Sequence, residues 1–266
     1  MNEQQVAQYW NDNAETWTKL ARAGYDIYRD GFNTPAFMEM LPDVQGLAGI
    51  DIGCGEGGNT RLVAKRGASL QAIDIAEQFI AQAVTEEEAR SLGIQFQVAS
   101  ATKLPFADQS FDFATSFMCL MDMPDPATAL KEAFRVLRPG GFLQFNITHP
   151  CYATPHRRNL RNADGITYAI ELGGYFHFTP GRIDEWIFTN TPPQERARYP
   201  KFKIPVYNWT LSQWVQMINE AGFILEKLNE PYPSDEVLAR YPELQDAQVL
   251  AYFLHVRCRK PGHARP

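Results

Sequence analysis

GIDIGCGEGGNT, residues Gly49 to Thr60, holds three glycines at the spacing G-x-G-x-x-G: Gly53, Gly55 and Gly58. A short apolar run leads into it from Leu47, and a helix-like run from Asn59 leads out to Gly67, a natural helix stop. Glycine lacks a Cβ, so the backbone turns sharply here and lets a ligand approach the main chain. A strand entering such a turn, with a helix leaving it, is the pattern of a nucleotide-binding unit. The same alternation continues outward. SLQAIDI (Ser69–Ile75) is a second apolar strand, and AEQFIAQAVTEEEARSLG is an amphipathic helix with Phe79, Ile80, Ala83 and Val84 inward. IQFQVAS and FDFATSFMCL (Phe111–Leu120) supply strands three and four. PDPATALKEAFRVLRPGG opens a helix with Asp125 as N-cap and Pro126 at its first position, then closes on a turn at Pro139-Gly140-Gly141. GFLQFNITHP is the fifth strand. Strands alternating with helices predict an α/β fold with a doubly wound, mostly parallel sheet, whose ligands sit outside the carboxyl ends of the strands.

That rule locates a candidate crevice. Its rim is formed by Asp51 to Gly55, Asp74 and Ile75, Ser100 and Ala101, Ser116 to Met118, and Thr148 and His149. Asp74 lies 21 residues past Gly53, where an acid binds ribose hydroxyls in dinucleotide enzymes and in other nucleoside-binding folds alike. Neither the glycines nor Asp74 separates these classes. Asp51 and Glu56 flank the turn, and two acids there would repel a pyrophosphate resting on the helix N-terminus. They suit a ligand with a cationic end, such as an α-amino group or a sulfonium.

Composition narrows the partners. The net charge of −6 in 266 residues opposes a nucleic-acid partner, and the one basic cluster, HRRNLR (His156–Arg161), reads as a solvated surface turn or an anion contact. Four scattered cysteines, with no C-x-x-C, predict reduced thiols and no metal site. The first residues lack a signal-peptide pattern, and no apolar run reaches the roughly 20 residues of a membrane helix. A cytoplasmic protein without a membrane partner is the expectation.

Four stretches in register resemble the class I S-adenosylmethionine-dependent methyltransferases, in their broad small-molecule branch. IDIGCGEG is similar to the first motif of that family and IDIA (Ile73–Ala76) to its acidic ribose motif. ATKLPFADQSFDFATS resembles the segment before and through the fourth strand, and ALKEAFRVLRPGGFL the helix, turn and fifth strand. The resemblance covers residues 45 to 150. It implies S-adenosyl-L-methionine as cofactor, a Rossmann-like sheet of seven strands with an antiparallel last strand, and a small-molecule methyl acceptor. It further implies that Gly53 and Gly55 bring backbone to the methionine part, with Asp51 orienting its amino group. Asp74 would take the ribose hydroxyls and Ile75 pack on adenine, while Phe117 and Met118 would lie near the sulfur. Ser100 and Ala101 fall where many relatives carry an acid for the adenine amine, so serine is a departure.

The flanks complete a four-part organisation. Residues 1–44 form an N-terminal helical cap, in which Trp17 would fold over the cofactor and Arg29 meet its carboxylate; 45–150 form the core. Residues 151–208 are an insertion at the end of a strand, and such a position hangs over the crevice, so they read as a substrate lid of short strands and turns. Its aromatics Tyr152, Tyr175, Phe176, Phe178 and Trp186 would outline an acceptor pocket. Residues 209–266 return a helix, with Leu211, Val215 and Ile218 inward, and two edge strands. Relatives often carry a histidine-arginine pair before the Thr-Leu-Ser run; Asn208 and Trp209 stand there instead. His149, held extended by Pro150, is the candidate catalytic base. A repurposed S-adenosylmethionine binder and a nicotinamide-dependent oxidoreductase are the alternatives.

Overall fold

The computed structural model describes residues 1–178 and 180–262. α1 (Glu3–Arg22) starts at a reciprocal cap in which the Asn2 side chain accepts from Gln5 N–H and the Gln5 side chain accepts from Asn2 N–H. A π-helical turn (Arg29–Asn33) runs into α2 (Thr34–Met40). The core then alternates: β1 (Ala48–Ile52), α3 (Gly58–Ala64), β2 (Ser69–Asp74), α4 (Glu77–Ala89), β3 (Gln95–Val98), β4 (Phe111–Phe117), α5 (Pro126–Val136) and β5 (Leu137–Thr148). Asp125 caps α5 by accepting the Thr128 N–H at 3.0 Å. β5 starts earlier than the sequence suggests. It pairs with β4 from Leu137, kinks through Pro139–Gly141 and resumes at Phe142, so the Pro-Gly-Gly segment is an irregularity within the strand.

Two hairpins follow, β6 (His156–Arg161) with β7 (Thr167–Gly173), and β8 (Arg182–Trp186) with β9 (Phe202–Val206); a short helix, α6 (Pro193–Arg196), lies between β8 and β9. The basic HRRNLR cluster is therefore a strand, and Glu171 on β7 takes both His156 and Arg158. The chain closes with α7 (Leu211–Glu220), β10 (Ile224–Asn229), α8 (Asp235–Arg240) and β11 (Phe253–Arg259).

The main sheet has seven strands in the order β10-β11-β5-β4-β1-β2-β3. β1 to β5 run parallel, and β11 inserts antiparallel between β5 and β10. This is a doubly wound, Rossmann-like α/β sheet, as the alternation predicts, with the antiparallel last strand that the resemblance implies. Central strands are buried on both faces, which is why they read as apolar runs. Ile50, Ile52, Ile73, Leu143 and Phe145 fill one side with α5 and α7; Phe37, Val63, Leu70 and Phe113 fill the other. On α3 the inward residues are Thr60 and Val63, and Leu62 faces out. On α7 they are Trp214, Met217 and Ile218, with Leu211 partly buried against the same core.

Candidate active site

The carboxyl ends of the parallel strands open into one cavity of about 910 Å³. Trp17, Arg29, Asp51, Gly53, Gly55 and Asp74 line it, as do Ile75, Ser100, Ala101, Phe117 and Met118. The residues nominated from the sequence for a cofactor thus share one space, although they come from α1, the π-helical turn and the ends of β1 to β4.

Asp51 ends β1 almost fully buried, and its two oxygens accept from Thr60 Oγ1 at 2.5 Å and Thr115 Oγ1 at 2.8 Å. Burial pushes its carboxyl up to about 6 against the pull of those hydroxyls, with the Asp74 charge adding to the rise. Asp74 accepts the Gly55 N–H on one oxygen at 2.9 Å and the Ala76 N–H on the other at 2.8 Å. Burial raises its pKa as well, opposed by these backbone donors. Each of its oxygens keeps a second lone pair for a ligand. Gly53 and Gly55 both have positive φ, for different reasons. A Cβ on Gly53 would strike Cys119 Sγ at 2.0 Å, whereas one on Gly55 would meet nothing within 4 Å and stand in the cavity. Gly55 leaves room for a ligand; Gly53 leaves room for the chain.

Glu56 does not present a free charge. It is buried between Arg22 and Arg29, at 3.4 and 3.5 Å. The acidic surplus at the turn therefore comes from Asp51 and Asp74, and the repulsion assigned to Glu56 from sequence is cancelled by two arginines. Arg29 also pairs with Asp30 at 2.7 Å, so an incoming carboxylate would share it with two acids.

Ser100 has a partner that the sequence does not suggest. Glu3, at the start of α1, accepts from Ser100 Oγ at 2.9 Å and from Thr102 Oγ1 at 2.7 Å, both on the same carboxylate oxygen. Its other oxygen makes no hydrogen bond among the described residues, and Glu3 lines the cavity. An acid thus reaches the end of β3 from 97 residues away.

Past β4 the backbone is strained. Met118 adopts φ +49°, and its N–H donates to Asn146 Oδ1 at 2.8 Å. Asn146 Nδ2 in turn donates to Asn33 Oδ1 at 2.8 Å, where His255 Nε2 also donates at 2.7 Å. Burial holds His255 down to about 3, hence neutral. This network joins the π-helical turn, β5 and β11, and it sets Met118 at the cavity wall.

The segment after β5 lies at the carboxyl ends of the strands. Tyr152 and Trp186 line the cavity, while Tyr175, Phe176 and Phe178 do not. Tyr175 instead accepts the Leu211 N–H, Phe178 packs on Trp209 and Phe176 is exposed. In the cavity wall Trp17 sits edge-on to Trp186 at 5.6 Å and to Phe188 at 4.9 Å, which builds an aromatic wall from α1 and the β8–β9 hairpin.

His149 is not part of this cavity. Its Nε2 meets Glu230 Oε1 at 2.9 Å and its Nδ1 accepts the Cys151 N–H at 3.1 Å, so both ring nitrogens are committed to holding the chain after β5. The expectation that its ring turns toward the crevice is corrected: Thr148 and Pro150 line the space on either side, and His149 turns away.

Residues 50–145 match the model of the methyltransferase-domain family. A demethylmenaquinone methyltransferase from Lactococcus lactis is 35% identical over 150 residues, 53% of this chain and 57% of that protein. A 2-methyl-6-phytyl-1,4-hydroquinone methyltransferase from Synechocystis is 39% identical over 107 residues, 40% of this chain and 33% of that one. The chain thus spans about half or less of the length of these relatives. A crystal structure of an S-adenosylmethionine-dependent methyltransferase from Mesorhizobium loti aligns with a TM-score of 0.69 and 27% identity, over 85% of this chain and 96% of that one.

Proposed function

We infer the function from the premise that this chain belongs to the class I S-adenosylmethionine-dependent methyltransferase family. It transfers a methyl group to a small-molecule acceptor held under the β8–β9 hairpin. The observation that carries this is one continuous cavity with two characters: strand-end carboxylates at the glycine turn and an aromatic wall from the hairpin. The residues present fit the cofactor, because Gly55 leaves open space beside Asp51 and Asp74.

S-adenosylmethionine, when bound, supplies an electrophilic methyl group on a sulfonium. Asp74 takes the ribose hydroxyls on its remaining lone pairs, and Ile75 covers the adenine. Glu3, held by Ser100 and Thr102, accepts from the adenine amine with its free oxygen, beside Ala101. Gly53, Gly55 and Asp51 hold the methionine end, with Arg29 near its carboxylate. Phe117 and Met118 face the sulfonium, and Trp17 closes the space from α1. Orientation and exclusion of water do most of the catalytic work, since holding reactants in line contributes about 7–11 kcal/mol.

Calorimetric titration tests this reading. S-adenosylhomocysteine should bind at low micromolar affinity, about −8 kcal/mol. Asp74→Ala should weaken it at least about tenfold by removing charge-assisted hydrogen bonds. Tighter binding of NAD than of S-adenosylhomocysteine would reject the assignment. Transfer of labelled methyl to a metabolite extract separates an enzyme from a protein that only binds the cofactor.

A further inference from the structure

The acceptor side of the cavity has its own polar centre. Asp122, in the turn after β4, lines the cavity, and its carboxyl makes no hydrogen bond or ion pair among the described residues. Tyr207, just past β9, is 3% exposed, lines the same space, and its buried hydroxyl has no partner among the described residues. The turn that carries Asp122 packs against β9, just before Tyr207, and the charge of Asp122 adds to burial in pushing the Tyr207 hydroxyl up. Asp184 lies across β8 from Ile204 on β9, and its charge bears on Asp122 too. Asp184 is already bound by Arg182, at 2.9 Å. Burial, with Asp184 second, holds the Asp122 carboxyl well above the ordinary carboxylate range.

A half-buried acid and a buried hydroxyl, both without a partner among the described residues, are costly unless something joins them. The group that satisfies both at once donates hydrogen bonds and carries positive charge. Trp17, Trp186 and Phe188 supply ring faces for such a cation. The cations on the cavity wall are engaged: Arg29 by Asp30 and Glu56, Arg182 by Asp184, and Arg157 over the Tyr152 ring. Arg29 and Arg182 are thus already neutralised by acids, and Arg157, which keeps its charge, is exposed at the rim.

We propose that the compartment beneath the β8–β9 hairpin takes a basic arylalkyl amine as the methyl acceptor, its nitrogen held between Asp122 and the Tyr207 hydroxyl. This rests on the methyltransferase reading and names its acceptor class. The acceptor enters as an ammonium, whose charge favours the ionised form of Asp122, and gives one proton to that carboxylate. The freed nitrogen lone pair forms the new N–C bond while the C–S bond breaks with its electron pair on sulfur. The products are a methylammonium and the neutral thioether, and the proton leaves from Asp122. Asp122 is thereby the catalytic base, in place of His149.

The test uses the full chain saturated with S-adenosylhomocysteine. 2-Phenylethylamine, tyramine and tryptamine are titrated beside their alcohols 2-phenylethanol, tyrosol and tryptophol. At least one amine should bind about tenfold or more tightly than its alcohol, the scale of a hydrogen bond to a charged group. Asp122→Asn should abolish that gap without changing the affinity for S-adenosylhomocysteine. Tyr207→Phe should narrow it, and this variant keeps the test decisive if Asp122→Asn does not fold. The proposal is overturned if no amine outbinds its alcohol, or if the preference survives in both variants. Failure of S-adenosylhomocysteine itself to bind would instead remove the methyltransferase reading on which the proposal stands.

Discussion

Asp51 is a carboxyl that the fold holds at a cost. With its pKa lifted to about 6, it binds a proton more tightly when folded than when unfolded. Its contribution to stability is therefore complete below the ordinary carboxylate pKa and is lost as pH rises through about 6. An asparagine at this position does not titrate. The stability of Asp51→Asn relative to the parent should accordingly increase between pH 4 and 7, by up to about 3 kcal/mol. Urea denaturation of both proteins across that range measures it, and a constant difference would contradict it. Asp51, Asp74 and the glycines were legible in the sequence because their geometry is local: a few residues of strand and turn set it. Glu3 and Asp122 were not. Glu3 matters only because α1 carries it to Ser100, and Asp122 sits in a three-residue 3₁₀ turn without periodicity. His149 was placed correctly at a strand end and wrongly in direction. Which way that ring turns is decided by Glu230, 81 residues later, and no local pattern records that.

At the scale of elements, the alternation of the core was readable because parallel strands buried on both faces leave continuous apolar runs. The hairpins after β5 were harder, since they pair with each other in two small sheets and only part of their apolar surface reaches the cavity. The second hairpin is held to α1 by a polar bridge as well as by apolar packing. Asn13, 6% exposed, donates to Lys203 O at 3.0 Å and accepts the Lys203 N–H at 3.1 Å, satisfying the edge of β9 as a neighbouring strand would. The Trp17, Phe188 and Phe202 rings pack around the same junction. Asn13→Ala leaves a part-buried backbone donor and acceptor of Lys203 unpaired, which costs about 1 kcal/mol or more. Hydrogen exchange should then accelerate in β8 and β9 together, and in the second half of α1, while β1 and β4 keep their protection. Exchange confined to the hairpin would mean that helix and hairpin are not coupled.

For the whole molecule, the seven-stranded sheet is a platform whose carboxyl edge carries acids, and the covering parts are added before its first strand and after its fifth. α1 comes before the first strand and the β8–β9 hairpin after the fifth, yet both cover one cavity. Ligand binding should stabilise the assembly as a unit, by about 2.7 kcal/mol with S-adenosylhomocysteine at a hundred times its dissociation constant. Thermal melts at graded ligand concentration check this, and a melting temperature indifferent to the ligand would argue that the cover and the platform bind nothing in common. The Asn13 bridge has a consequence in time as well as in space. Because α1 and the hairpin are tied to each other, neither the acceptor end nor the cofactor end can be uncovered separately, and spent thioether leaves only when both open. On the methyltransferase reading, turnover should then be limited by departure, as in many enzymes with closing segments. Mixed rapidly with donor and acceptor, the enzyme should yield a burst of about one methylated product per chain before its steady rate. Asn13→Ala should shorten the wait between cycles and leave the first cycle as fast as before.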